Sequence, residues 1–212
     1  MAVFSVLTLL AVGVLLFAEF RGLRAGVWIA KPVASSGFVA ASLAAGALES
    51  AYGLSILSAL LLCWLGDLLL IPKARAAFLA GLVSFLLGHI AFALAFVQWG
   101  VAPRLAFPAL FATLALGAVF LRLVEPHVPS AMRLPVRVYV VAISLMLAFA
   151  LATVAREGTL AIPVGALLFW LSDLAVARDR FLAPAPWNRL VGLPLYYGAQ
   201  LLLASSVAWA KR

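Results

Sequence analysis

The chain has 212 residues, 67% of them hydrophobic and only 10% charged, and its mean hydropathy is +1.20. Seven acidic residues cannot furnish the surface of a water-soluble domain, where about a quarter of residues are charged, so the composition calls for a polytopic membrane protein. The formal charge of +8 is spread over short loops and forms no lysine run or aromatic-basic interleaving, which sets nucleic acid aside as a partner and reads as membrane topology.

A bilayer core is about 30 Å thick, so each spanning helix needs about 20 mainly apolar residues. Runs between charged or proline-containing breaks predict eight spans, over residues 3–20, 32–48, 51–71, 76–98, 105–123, 136–154, 160–177 and 192–209. The expectation is an all-α membrane bundle forming a single transmembrane domain over 1–212. The first run leads into Arg21 and Arg24 with no basic segment before it, and is read as an uncleaved span. The second is rich in Gly, Ala and Ser, which suits close packing inside a bundle. The lone Cys63, in an apolar run, reads as a packed small hydrophobe.

Basic residues set the orientation. Eleven (Arg21, Arg24, Lys31, Lys73, Arg75, Arg122, Arg133, Arg137, Arg178, Arg180, Arg189) fall on one side, and four (Arg104, Arg156, Lys211, Arg212) on the other. The richer side is expected in the cytoplasm, with both termini opposite. The membrane expected is a bacterial inner membrane.

Two segments share the pattern Trp-Leu-small-Asp-Leu: Trp64-Leu65-Gly66-Asp67-Leu68 and Trp170-Leu171-Ser172-Asp173-Leu174. They are 173 − 67 = 106 positions apart, half of the chain. The offset would relate halves 1–104 and 105–212 as a 4+4 parallel duplication, with a chance match as the alternative. A carboxylate in apolar surroundings must be neutralised, paired or functional. Asp67 and Asp173 are therefore the leading candidate site residues; capping or snorkelling to a loop arginine is the structural alternative. By span position both lie toward the cytoplasmic end. Glu19, Lys31, Tyr196, Tyr197 and Gln200 are expected in the same polar pocket, with His89 deeper along the fourth span. Gly81, Ser84, Gly88 and His89 share a helix face, a small-residue seam that brings a neighbouring backbone close.

Other chemistries lack their residues. A zinc hydrolase wants three protein ligands, and only one histidine lies at membrane depth, so no metal site and no cofactor are expected. No Gly-x-Ser-x-Gly elbow supports a serine hydrolase. A proton-coupled transporter of small molecules or lipids is the alternative class, since repeated halves, a midplane histidine and buried acids suit one equally.

Several motifs in order resemble the YhhN-like lysoplasmalogenase family of multi-pass membrane proteins. They are Lys31-Pro32, Leu65-Gly66-Asp67, Phe78-x-x-Gly81-Leu82 through Phe85-x-x-Gly88-His89, Phe169-x-x-Ser172-Asp173 to Arg180-Phe181, and Tyr196-Tyr197-x-Ala199-Gln200. The resemblance covers residues 31 to 200, and its Gly-Asp, Gly-His and Ser-Asp segments together are fairly specific. It implies cleavage of the vinyl-ether bond of a lysophospholipid substrate, a lysoplasmalogen, to a fatty aldehyde and glycerophosphoethanolamine or glycerophosphocholine. It also implies that Asp67 and Asp173 are the catalytic acids. Such a reaction needs a proton at the β-carbon, stabilisation of an oxocarbenium ion, and water. Paired carboxylates meet a related demand in glycosidases. One aspartate would be the general acid and the other the base or stabiliser. His89 and Tyr196 or Tyr197 would orient water or the leaving oxygen. Lys31 and rim arginines such as Arg178 would hold the phosphate.

Overall fold

The computed structural model describes residues 1–72, 74–155 and 160–210. Eight α-helices account for most of them: α1 (Ala2–Arg21), α2 (Arg24–Ala44), α3 (Ala51–Leu69), α4 (Arg75–Trp99), α5 (Pro103–Val124), α6 (Ser130–Ala152), α7 (Ala161–Ala177) and α8 (Pro186–Ser206). All eight are long and apolar enough to cross a membrane, and the protein is an all-α multi-pass membrane bundle as expected. Lys73, Arg156, Lys211 and Arg212, which enter the loop-charge count, lie outside the described residues.

Apolar residues nearly encircle most of these helices, because one face meets lipid and the other the bundle, so helix-on-helix packing sets the arrangement. Consecutive helices pair most extensively: α1 with α2, α3 with α4, α5 with α6, and α7 with α8. Further contacts of α2 with α3, α4 with α6, α6 with α7, and α8 with α1 close a ring of seven helices. α5 stands outside that ring against α6, with Phe107 and Phe111 turned outward. Phe38, Ile56, Phe92, Phe96, Met146, Phe169 and Tyr197 are fully buried within the bundle.

Three helix starts differ from the expected spans, among them α6, which begins at Ser130 and not 136 and runs through Pro135. α2 begins at Arg24, eight residues before the predicted 32, so Lys31 and Pro32 lie inside it and do not open it. A proline there deprives the Trp28 carbonyl of its helical donor, a loss membrane helices tolerate when neighbours pack against them. The turn before α2 is tight because Gly22, at φ 66°, takes the left-handed conformation that closes α1. α8 begins at Pro186, not 192, and continues through Pro194. Tyr196 and Tyr197 therefore sit mid-helix, at its eleventh and twelfth residues, and not in its first turns.

Candidate active site

Asp67 owes its position to the seam between α3 and α4. A Cβ on Gly66 would stand 2.7 Å from the Phe85 ring, one on Gly81 2.9 Å from Leu70, and one on Gly88 3.0 Å from Cys63 Sγ. Ser84 Oγ donates to the Leu62 carbonyl across the seam at 2.6 Å. The close approach anticipated for the Gly81–Gly88 face is thus present. It lays Phe85 and His89 of α4 beside the end of α3 that bears Asp67.

The Asp67 carboxylate is 2% exposed and nearly saturated. Its Oδ2 accepts from Ser35 Oγ at 2.6 Å and from Tyr196 OH at 2.8 Å, and its Oδ1 faces Lys31 Nζ at 3.3 Å. Lys31 and Ser35 are four residues apart, one turn of α2, which brings both to one point on α3. Behind them the Tyr197 hydroxyl lies 3.1 Å from Ser35 Oγ.

Asp173 is held differently. Its Oδ2 accepts from Tyr139 OH at 2.8 Å and lies 3.4 Å from His89 Nε2. His89 is fully buried, and its Nδ1 is 2.6 Å from the Phe85 carbonyl. A carbonyl only accepts, so Nδ1 carries a hydrogen and Nε2 is the free end of the ring. That free nitrogen faces the Asp173 carboxyl group without a hydrogen bond to any described residue. Phe169, one turn before Asp173, joins the two acidic centres: its ring centroid is 4.5 Å from that of His89 and 5.5 Å from that of Tyr196.

Both aspartates line one cavity of about 440 Å³, to which every helix contributes. Sites for small molecules run from about 300 to 1,000 Å³. Its rim carries Glu19, Asp179, Arg180 and Arg189, and its interior is largely apolar. Arg189 pairs with Glu19 and stands 3.6 Å from Asp179. The π turn Arg178–Leu182 after α7 is fixed by Asn188, which accepts from Arg178 and donates to Asp179 Oδ1 at 3.0 Å and to the Ala183 carbonyl at 2.8 Å.

Of the residues expected at the site, Asp67, Asp173, Lys31, Glu19 and Tyr196 line the cavity. His89 stands behind Asp173, and Tyr197 behind Ser35. Gln200 is fully buried away from the cavity lining, and neither its amide nitrogen nor its oxygen has a hydrogen-bond partner among the described residues. Arg178 is turned to Asn188, while Arg180 and Arg189 line the rim. Ser35 and Tyr139 were not anticipated. Ser35 would follow from carrying α2 through Pro32, which puts it on the Lys31 face; Tyr139 offers only a lone hydroxyl in an apolar span. No group of three or more metal-ligating side chains occurs among the described residues.

The YhhN family matches residues 26–207. Lysoplasmalogenase TMEM86A of Bos taurus is 34% identical over 148 residues, covering 67% of this chain and 60% of that protein. Lysoplasmalogenase TMEM86B of Sus scrofa is 34% identical over 158 residues, covering 74% and 65%. The lysoplasmalogenase of Mycobacterium bovis is 34% identical over 158 residues, covering 71% and 59%. The chain thus spans a little under two thirds of the length of these relatives. No solved structure matches it significantly. The chain belongs to the YhhN family.

Proposed function

We propose that the protein hydrolyses the vinyl-ether bond of lysoplasmalogens, releasing a fatty aldehyde and glycerophosphoethanolamine or glycerophosphocholine. The observation that carries the reading is that Asp67 and Asp173, remote in sequence, line one cavity inside an apolar bundle. Relatives named lysoplasmalogenase support it.

The chemistry divides between the two acids according to their partners. Asp173 acts as the general acid, its carboxyl proton passing to the β-carbon of the vinyl ether and leaving an oxocarbenium ion. Asp67, with both oxygens already engaged, holds fixed negative charge in the cavity wall, where it stabilises that cation. The Asp173 carboxylate then takes a proton from the attacking water, and the hemiacetal collapses to aldehyde and alcohol. Tyr139 holds Asp173, and Tyr196 holds Asp67. General acid-base steps of this kind contribute about 10²- to 10⁴-fold.

The rim faces the cytoplasm and both termini the opposite side, on the loop-charge rule, in a bacterial inner membrane. Polar side chains gather at one end of the cavity, which supports an enzyme open to one leaflet over an alternating-access carrier. The test is aldehyde release by purified protein from matched alkenyl- and acyl-lysophospholipids. Aldehyde from the alkenyl lipid alone is the expected result; none from either would defeat the proposal.

A further inference from the structure

Among the described residues three cations line the cavity, and two of them are engaged. Lys31 is 3.3 Å from Asp67 Oδ1, and Arg189 is paired with Glu19 and Asp179. Arg180 alone has no acidic partner among the described residues. Its guanidinium carbon lies over a neighbouring ring instead, 4.3 Å from the centroid of Phe78. A guanidinium held over a ring by a cation–π contact, with no acid engaging its N–H groups, keeps that donor fork available to a phosphate. The far end of the cavity is apolar. Val140 and Ile143, further along α6 from Ser130, line it beside Gly117, whose Cβ would stand 2.8 Å from Val140 Cγ1. α5 lies outside the ring there, so this end runs under α5 and against α6.

Between these ends stands the acid. Asp173 is seven residues before Arg180, roughly 10 Å at helical rise, and is bonded to Tyr139, next to Val140. In a lysolipid, the bond joining glycerol to chain likewise lies between phosphate and hydrocarbon.

We propose that the cavity binds a lysolipid in one register, its phosphate on Arg180 and its hydrocarbon chain between α5 and α6 against Gly117, Val140 and Ile143. The lipid class rests on the function proposed above; the assignment of the two ends rests on the free cation and the apolar terminus. A headgroup bound at Arg180 places the first bonds of the chain at Asp173, so binding and bond choice have one cause.

Binding of two uncleaved probes to purified protein tests this without turnover: 1-hexadecyl-lysophosphatidylethanolamine and 1-hexadecylglycerol, which lacks the phosphate. Arg180→Gln should weaken the first about tenfold or more, the scale of a lost charge-assisted bond, and leave the second unchanged. Arg180→Lys should recover part of the loss. Ile143→Phe and Gly117→Ala, scored only when the thermal transition is kept, should weaken hexadecyl binding more than dodecyl binding. The proposal is overturned if Arg180→Gln binds both probes as the wild type does, if it loses both equally, or if the wild type binds neither. A phosphate-dependent loss in a protein that releases no aldehyde would retire the hydrolase reading and keep this one. Aldehyde release with no Arg180 effect would do the reverse.

Discussion

His89 Nε2 stands 3.4 Å from Asp173 Oδ2 while the other nitrogen of the ring is committed to the Phe85 carbonyl at 2.6 Å. The imidazole thus has one nitrogen held by the backbone and the other turned to an acid that lines the cavity.

Residues that act as a unit lose activity together. Asp173→Asn and His89→Gln should each lower kcat for aldehyde release by about 10²- to 10⁴-fold. The double variant should be no worse than the weaker single, because the second change removes a partner already idle. Steady-state rates of the three proteins check this.

Lys31 and Asp67 should behave as a buried ion pair. Asp67→Leu leaves the Lys31 ammonium without its acid and should destabilise the protein by about 3–5 kcal/mol. Lys31→Met with Asp67→Leu should recover most of that stability while remaining inactive. Reversible unfolding in detergent separates the two quantities.

The α3–α4 seam should be intolerant of added volume. Gly66→Ala would set a methyl group 2.7 Å from the Phe85 ring, and overpacking of this kind costs about 1–3 kcal/mol. Because Phe85 also bonds His89 through its carbonyl, the same change should lower kcat more than it changes KM. Kinetics beside a thermal melt decide it.

Much of this site could be read from the chain. Hydropathy locates eight spans, and an acid within an apolar run marks Asp67 and Asp173, because burial makes such a residue conspicuous. Proline is a poor membrane helix boundary, and treating it as one shortened α2 and hid the turn that carries both Lys31 and Ser35. Tyr139 was hidden for another reason: a tyrosine in a span is as often interfacial as functional, and only tertiary contact with Asp173 distinguishes them. The same limit applies to Arg178 and Arg180, since which arginine faces the cavity depends on the π turn. The 106-residue offset extends further than the Trp-Leu-small-Asp-Leu pattern: Glu19 and Glu125 (125 − 19), and Lys31 and Arg137 (137 − 31), keep it. Their contacts do not follow. Lys31 reaches Asp67, whereas Arg137 pairs with Glu125, and α1 closes the ring while α5 stands outside it.

Tyr139→Phe offers a milder probe of the second acid. It removes the hydroxyl that donates to Asp173 at 2.8 Å and keeps the ring that packs on His89, whose centroid is 5.1 Å away. A loss of about tenfold in kcat with an unchanged melting temperature is expected, equal to roughly 1.4 kcal/mol of transition-state stabilisation. Activity and melting curves of the one variant test it.

That two carboxyl groups from opposite halves of the chain serve one reaction is tested most directly by aldehyde release from a lysoplasmalogen, measured for Asp67→Asn and Asp173→Asn proteins with native melting behaviour. Both should release aldehyde at least about 10²-fold more slowly than the wild type. Turnover near the wild-type rate in either one would show that the cavity does not work through the pair.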